Sequence, residues 1–344
     1  MTSFSPARLQ RLLLSWFDTN ARDLPWRRTD DPYRIWISEI MLQQTRVTAV
    51  LDYYARFLKL FPTVDALARA DEPAVLAAWS GLGYYRRARQ MHKAAQLIVS
   101  EFHSKLPPTA AALRDLPGIG EYTSSAIASI AFGEPVAVVD GNVERVLLRL
   151  FPEGANLAGP SAQTRWFRER ANSILDRQRP GDFNQAMMEL GATVCLPQRP
   201  LCLHCPVQAF CPTRGEHQTA PPKKMRSRQI AYALLRREKA GSTQVLIERR
   251  PDSASLMPGM WELPEVAMRP SDEELIEITL RHAITVTNYR VHVLGLSVEE
   301  AERRWAPRAP RKWAKGSDLI RLPLTGLARK VLQRLQIMPE HEVR

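Results

Sequence analysis

The chain has 344 residues, of which 45% are hydrophobic and 24% are charged, as in an ordinary globular protein. Lys and Arg number 48 against 36 Asp and Glu, and the formal net charge of +12 favours a polyanionic partner such as nucleic acid over a merely basic soluble protein. No apolar run approaches the roughly 18–20 residues of a membrane span, and the first residues lack the layout of a signal peptide, so we expect a cytoplasmic protein without a membrane partner.

Apolar residues recur at helical spacing throughout the first 211 residues. The spacing predicts helices over 7–20, 34–60, 64–79, 84–102 and 109–150. A linker is expected over 212–230, where Pro221 and Pro222 precede four basic residues. The composition then predicts a hairpin from AYALLRRE and TQVLIERR, a strand over 283–296 and a closing helix over 322–335. The chain is therefore predicted to be mainly α up to residue 211 and α+β from residue 231.

Two carboxylates lie in positions that suit catalysis. Glu39 lies beside the apolar stripe of its predicted helix, where a partly buried acid has a raised pKa. Asp140 follows an apolar run at the start of the next helix. The alternatives are a solvated glutamate on a helix face and an ordinary N-cap aspartate.

A short glycine-containing turn separates two predicted helical segments, 109–115 and 121–132. In Leu116-Pro117-Gly118-Ile119-Gly120, two glycines allow a sharp turn that directs backbone amides outward, next to a helix N-terminus. The turn predicts a sequence-independent site for DNA phosphate, at Gly118 and Gly120. An ordinary corner between helices is the alternative.

All four cysteines fall within 17 residues, with the spacing C-x6-C-x2-C-x5-C. Such clustering indicates a metal site rather than disulfides in a cytosolic protein. The loop suits either a [4Fe–4S] cluster or structural zinc, and the single Cys-x2-Cys favours the cluster. The ligands would be Cys195, Cys202, Cys205 and Cys211.

These motifs together resemble the MutY-type adenine DNA glycosylases of the helix–hairpin–helix superfamily. The resemblance rests on LPWR, PYRIWISEIMLQQT, WSGLGYYRRAR, LPGIGEYTSSAIASIAFG, VVDGNVERV, FNQAMMELGA and the cysteine loop. It implies a six-helix barrel with the hairpin over about 25–133, a [4Fe–4S] domain from 1–24 and 134–211, and a Nudix-like domain over 231–344 that recognises the lesion. A monomer is expected.

By resemblance, the protein removes adenine paired with 8-oxoguanine or guanine in double-stranded DNA. Glu39 matches the general acid, and Asp140 matches the group that stabilises the positive charge on the sugar, electrostatically or covalently. Tyr122 and Asn142 match residues that orient these groups. Related enzymes that also cut the strand carry a lysine where this chain has Tyr122, so little or no lyase activity is expected.

The resemblance also implies residues that contact the flipped base and the opposite strand. Each of them could instead be a packing residue. The adenine pocket is matched by Trp26, Arg27 and Gln185, and the wedge and lesion side are matched by Gln44, Tyr84, Thr45 and Leu82.

The region after residue 231 departs from the family pattern at two places. Its acids Glu273, Glu274 and Glu277 lack the arrangement that a Nudix hydrolase needs, so they are predicted to form a solvated helix face without hydrolytic activity. The lesion-reading motif His-x-Phe-Ser-His is replaced by His-Ala-Ile-Thr-Val at 282–286, in which only Thr285 keeps the serine's hydroxyl. We therefore expect weaker discrimination in favour of 8-oxoguanine, unless Arg290 or His292 substitutes.

Two other functions compete with this interpretation. A thymine–guanine mismatch glycosylase shares the fold, the cluster and a tyrosine near position 122, but Gln185 and the C-terminal domain argue against it. A non-catalytic DNA-binding protein stabilised by a cluster is disfavoured because both Glu39 and Asp140 are present.

Overall fold

The computed structural model describes residues 4–157, 159–215, 225–239, 241–284, 287–304 and 310–339. The chain divides into two compact units that do not follow chain order. Unit 1 consists of Met1–Tyr54, Thr63–Ala68 and Lys93–Ala220, and unit 2 consists of Ala55–Pro62, Arg69–His92 and Pro221–Arg344. The predicted boundaries at 211 and 231 remain a prediction.

Unit 1 is helical. Its first helix begins after Ser5, whose side chain accepts a hydrogen bond from the backbone of Arg8, and it buries Leu9, Leu13 and Phe17 at helical spacing. These residues enter a core shared with three later helices. The helices of this unit are α1 (Pro6–Asn20), α2 (Pro32–Leu42), α7 (Ala110–Leu113), α8 (Glu121–Phe132), α9 (Gly141–Leu150), α10 (Pro160–Ile174) and α11 (Pro180–Thr193), with α3 (Val47–Leu60), α4 (Val64–Arg69) and α6 (Arg86–Glu101) divided between the units.

Three of the predicted helices are interrupted. The predicted helix over 34–60 breaks after α2, where Gln44 has a positive φ of 56°. The one over 64–79 divides into α4 and α5 (Glu72–Trp79). In the segment 109–150, α8 ends at Gly133, whose φ of 70° fits a glycine C-cap, and extended backbone leads to α9.

Unit 2 combines the residues 55–62 and 69–92 with two four-stranded sheets. One sheet has the order β5-β1-β7-β6, with β1 and β7 parallel, and in the other β3 pairs with β2, β4 and β8. Helix α14 (Gly326–Arg334) covers the first sheet's apolar face. The strands are β1 (Arg226–Leu234), β2 (Arg236–Lys239), β3 (Ser242–Arg249), β4 (Trp261–Glu262), β5 (Glu265–Val266), β6 (Ile276–Ile284), β7 (Thr287–Gly295) and β8 (Arg311–Lys315), and the short helices are α12 (Val298–Glu302) and α13 (Gly316–Leu319).

The predicted β-prone runs located the strands β1, β2, β3 and β7 of unit 2 but not their pairing. The hairpin forms between β2 and β3, whereas the first part of AYALLRRE belongs to β1 in the other sheet. Strands β4, β5, β8 and most of β6 were not predicted, and β1 begins at Arg226, inside the predicted linker. The predicted solvated helix face is wrong, because Glu273 and Glu274 lie in a 3-10 turn and Glu277 lies on β6, paired with Arg236.

The fold class is confirmed: a mainly helical N-terminal region precedes an α+β C-terminal region. Within the described residues, the helices are all too short or too polar to cross a membrane.

Candidate active site

Glu39 and Tyr122 form a buried pair. Glu39 lies on α2 and is 5% exposed, and it accepts a hydrogen bond from the Tyr122 hydroxyl on α8 at 2.9 Å. The pKa of Glu39 is raised to about 7, because burial and, to a lesser extent, the charge of Asp140 raise it by more than the hydrogen bond from Tyr122 and the charge of Arg27 lower it. A carboxyl group with this pKa can hold a proton near neutral pH and deliver it.

Asp140 is the N-cap of α9 and has a carboxylate fixed by three donors. Its Oδ1 accepts from the backbone amides of Asn142 at 2.9 Å and Val143 at 2.7 Å, and its Oδ2 accepts from the Asn142 side chain at 2.9 Å. The capping interpretation and the catalytic one are therefore compatible. These hydrogen bonds fix the orientation of the Asp140 carboxylate, and its negative charge raises the pKa of Glu39.

The backbone that carries Asp140 is held by Asn184 of α11. The side chain of Asn184 donates to the carbonyl of Val136 at 2.9 Å and accepts from the amide of Val138 at 3.0 Å. It also donates to Ser129 at 2.9 Å. Sequence reasoning missed this residue, because one amide inside a helical motif does not reveal its partners.

The side chains of the predicted adenine pocket lie in unit 1. Trp26 is 6% exposed and contacts Tyr54 edge to face. Arg27 donates to Glu189 of α11 at 2.8 Å. Gln185, also on α11, is half-buried, and its side-chain amide makes no hydrogen bond within the described residues. Gln185 therefore retains donors and an acceptor for a base.

Glu189 was not predicted, although it holds Arg27. It is 1% exposed, and it also accepts from Arg22 at 2.7 Å. Burial raises its pKa, but the hydrogen bonds from Arg22 and Arg27 outweigh burial and lower the pKa to about 2. Arg27, predicted for the adenine pocket, is therefore held by a carboxylate that is charged at neutral pH.

The predicted phosphate site is a tight turn. Gly118 has a φ of 78°, which favours glycine, and Gly120 is the N-cap of α8 without a side-chain cap. Ile119 between them is 4% exposed and anchors the turn in the core. Within the described residues, the amides of Gly118 and Gly120 donate no hydrogen bond, which suits them to an anion.

Two residues of the predicted wedge have strained backbones. Gln44, in unit 1, is exposed and has a φ of 56°, and the side chain of Thr45 beside it donates to the carbonyl of Gln43 at 3.3 Å. Tyr84, in unit 2, has a φ of 48° and is 49% exposed. A large aromatic side chain held outward on a strained loop is suited to stacking on a base.

Leu82 and Arg87 support the Tyr84 loop from within unit 2. Leu82 is 7% exposed, so it packs in the core. The guanidinium of Arg87 lies 5.4 Å from the Tyr84 ring centre and 5.3 Å from that of Trp79. The Trp79 indole donates to the carbonyl of Gly83 at 3.1 Å. Sequence reasoning did not identify Arg87 or Trp79 as supports.

A buried polar network joins the Tyr84 loop to the backbone before α14. The hydroxyls of Ser80 and Tyr85 both donate to the carbonyl of Leu324, at 2.7 and 3.2 Å. Arg329 donates to the Ser80 hydroxyl at 2.8 Å. All four residues are at most 4% exposed. The loop is therefore fixed by residues that lie more than 200 positions later in the chain.

The four cysteines line one cavity in unit 1. Arg149 of α9 donates to the sulfur of Cys195 at 3.2 Å, which suits a thiolate. Arg145 donates to the carbonyl of Cys195 at 2.7 Å and to the Asn142 side chain at 2.9 Å. Among the residues that the structure covers, no three His, Cys, Asp or Glu side chains converge on one point as a single bound ion requires.

The segment 282–286, which replaces the family's lesion-reading motif, lies only partly within the described residues. Thr285 and Val286 lie outside the described residues. Arg290 is exposed on β7, while His292 is half-buried and lies 3.0 Å from the Thr279 hydroxyl. Of the two residues suggested to replace the lost lesion contacts, Arg290 is the more exposed, whereas His292 already contacts Thr279.

Comparison with known proteins places the chain among DNA repair proteins. The family of HhH-GPD superfamily base excision DNA repair proteins matches residues 37–169. The chain is 35% identical to the adenine DNA glycosylase of Mus musculus over 396 positions, covering 93% of this chain and 76% of that protein. It is 39% identical to the adenine DNA glycosylase of Homo sapiens over 318 positions, which cover 76% of this chain but only 58% of the human protein.

Solved structures agree in fold with the helical region. A thermostable thymine-DNA glycosylase is similar at 29% identity with a TM-score of 0.56, covering 61% of this chain and 96% of that one. A trapped complex of endonuclease III with DNA is similar at 20% identity with a TM-score of 0.52, covering 62% and 98%. The second likeness is one of fold alone.

Proposed function

Because this chain belongs to the adenine DNA glycosylase family, within the HhH-GPD superfamily of base excision DNA repair proteins, we propose that it hydrolyses the N-glycosidic bond of adenine mispaired with 8-oxoguanine or guanine in double-stranded DNA. The observation that carries the proposal is the buried Glu39, with its pKa of about 7, hydrogen-bonded to Tyr122 and next to the charge of Asp140. One carboxyl can thus be protonated while a second, capping carboxylate lies near it.

In the proposed reaction, Glu39 acts on the departing base and Asp140 acts on the sugar. Glu39 gives its proton to adenine as the bond's electron pair leaves with the base, because adenine is a poor leaving group as an anion. Positive charge develops on the sugar, where the Asp140 carboxylate stabilises it. Water then adds to the sugar carbon and loses a proton. This division into an acid and an anion is also used by sugar hydrolases.

Tyr122 limits the proposed chemistry to hydrolysis. A Schiff base with the sugar needs an amine, and the phenol of Tyr122 cannot form one. Its hydroxyl is instead engaged with Glu39, and burial raises its pKa well above the ordinary value of 10, so it stays neutral. We therefore propose an enzyme with little or no lyase activity.

Base flipping would bring adenine to Glu39, since its reacting atoms are hidden in the duplex. We assign Trp26, Arg27 and Gln185 to the adenine pocket, and the amides of Gly118 and Gly120 to a DNA phosphate. Gln44 and Tyr84 would fill the vacated stack, with Thr45 nearby. Leu82 would act by packing under the Tyr84 loop, because it is buried. We also propose a cytoplasmic monomer.

The cysteine cavity is proposed to hold a [4Fe–4S] cluster. Four thiols around one cavity supply one sulfur for each iron, and the guanidinium of Arg149 offsets thiolate charge at Cys195. A zinc ion would draw four sulfurs to about 2.3 Å from one centre. Metal analysis after anaerobic purification should give about four irons per chain, and stoichiometric zinc without iron would contradict the assignment.

Single-turnover base release from duplexes containing A·8-oxoguanine, A·G and T·G tests the proposed activity. Adenine should be released from the first two, and abasic product should need alkali for strand cleavage. Thymine release from T·G alone would instead make the protein a thymine–guanine mismatch glycosylase. Binding without any release would make it a non-catalytic DNA-binding protein.

A further inference from the structure

An arginine pair lies at the exposed end of the sheet β5-β1-β7-β6, on strands β6 and β7. In the antiparallel ladder of β6 and β7, Arg281 lies directly opposite Arg290. Residues directly opposite one another project from the same face, with their Cβ atoms roughly 5 Å apart. Both side chains are exposed, and both line an open groove of about 570 Å³. Two positive charges therefore share one groove.

This arrangement costs stability in the free protein, because like charges directly opposite one another in a sheet repel. Within the described residues, the guanidinium groups of Arg281 and Arg290 make no ion pair or hydrogen bond, and only the Arg281 carbonyl is engaged, by Lys330 at 3.2 Å. Three arginines on other strands or loops of unit 2 do have carboxylate partners: Arg236 pairs with Glu277, Arg250 with Glu262, and Arg311 with Glu248. The arginine pair is thus arranged for a negative charge that comes from outside.

The rest of the groove offers hydrogen-bond donors. Gln229 of β1 lies opposite Arg290 in the parallel ladder, and Ser227 lies opposite Asn288. These three polar side chains line the groove with the arginine pair, and its described lining contains no carboxylate. Guanidinium, amide and hydroxyl groups together are the donor set of phosphate recognition.

We propose that this groove, named the arginine groove, binds a phosphodiester of the DNA backbone through Arg281 and Arg290. The proposal rests on the proposed function, from which it takes DNA as the partner. The excess of basic residues supports it, because residues 217–344 contain 23 Lys and Arg against 15 Asp and Glu. The contact would fix the position of the C-terminal region on DNA without reading its sequence.

The salt dependence of DNA binding tests the arginine groove. Each neutralised phosphate contributes about 0.9 to the slope of log affinity against log salt concentration. For one shared phosphate, Arg281→Gln/Arg290→Gln should lower the slope by about 1 and weaken binding at low salt on the order of tenfold. The probe is a duplex with 2′-fluoro-2′-deoxyadenosine opposite 8-oxoguanine, which resists cleavage of the glycosidic bond.

Arg236→Gln is the matched control. It changes the same residue type on a strand of the same unit, and its wild-type side chain is already paired with Glu277. It should leave the slope unchanged. An unchanged slope in the double variant, or an equal change in the control, would overturn the proposal.

Two further measurements separate the remaining outcomes. Inorganic phosphate at millimolar concentration should not compete more strongly than chloride of equal ionic strength; selective competition that the double variant abolishes would assign the groove to a free phosphate ligand instead. Single-turnover adenine release by the wild-type protein, at saturating enzyme and low salt, tests the proposed function separately. If the wild-type protein binds DNA but releases no adenine, the proposed function fails while the slope still tests the groove.

Discussion

Replacing Glu39 by glutamine removes an ionisable group while keeping the size of the side chain and an oxygen that accepts the hydrogen bond from Tyr122. In the wild-type protein, burial first and the charge of Asp140 second raise the pKa of Glu39 from 4.5 to about 7. A change of this size corresponds to about 3 kcal/mol between the two protonation states. Ionised Glu39 therefore lowers the free energy of unfolding of the wild-type protein by this amount. The glutamine variant cannot ionise, so its free energy of unfolding should not be lowered in this way.

The sign of the effect follows from proton binding. A carboxyl with a pKa of about 7 in the folded protein and about 4.5 in the unfolded chain binds its proton more tightly when folded. The wild-type free energy of unfolding therefore falls as the pH rises from 4.5 to 7, and the whole cost is present above pH 7. Glu39→Gln should be more stable than the wild type by about 3 kcal/mol at pH 8, and by less than about 1 kcal/mol at pH 5.

Urea unfolding at pH 5, 6.5 and 8, followed by far-UV circular dichroism, measures this difference, and single-turnover assays measure adenine release. Glu39→Gln should gain stability with rising pH and lose base release. Glu189→Gln is a control of opposite sign, because the pKa of Glu189 is lowered to about 2 and its loss strands two arginines. Equal stability of Glu39→Gln and wild type at pH 8, or a gain that does not depend on pH, would refute the reasoning.

The other predictions concern the second carboxylate, the tyrosine and the altered motif. Asp140→Asn should bind the uncleavable duplex almost normally yet lose base release, since the charge acts mainly in the transition state; weak binding with ordinary rates would make Asp140 only a helix cap. Tyr122→Phe removes the hydrogen bond that lowers the pKa of Glu39, so the alkaline limb of the single-turnover pH profile should move above pH 7, and an unmoved limb would contradict the assignment. Ile284→Phe/Val286→His should raise the preference for A·8-oxoguanine over A·G about tenfold, whereas an unchanged ratio would mean that the lesion is read elsewhere.

Local signals in the sequence predicted the backbone structure around several of the candidate site residues. Asp140 follows an apolar run and caps a helix, and Gly118 and Gly120 bound a turn, because capping and positive φ depend on neighbours in the chain. Glu39 was placed beside an apolar stripe and is buried. What brings Glu39 and Tyr122 together is packing between helices 83 residues apart in the chain. The motifs identified both residues, but only the fold shows their hydrogen bond.

Long-range pairing and buried polar partners could not be predicted from local patterns. Strand β1 pairs in parallel with β7, about 60 residues later, and a β-prone run does not specify its neighbour. Asn184, Glu189 and Arg329 look like ordinary polar positions in helices, yet each is at most 3% exposed and bonded to a distant segment. Their partners are set by tertiary contacts that leave no periodic trace in the sequence.

The carbonyl of Leu324 has a consequence for how the chain can be divided. It accepts hydrogen bonds from two buried hydroxyls of residues 80–85, and Arg89 also donates to the carbonyl of Pro258 at 2.5 Å. Both acceptors are backbone carbonyls, so these hydrogen bonds do not depend on the side chains at 258 and 324. A protease that nicks the chain between 211 and 226 would produce two polypeptides that stay together until denatured. For the same reason, the two pieces expressed separately should associate and complement each other in trans.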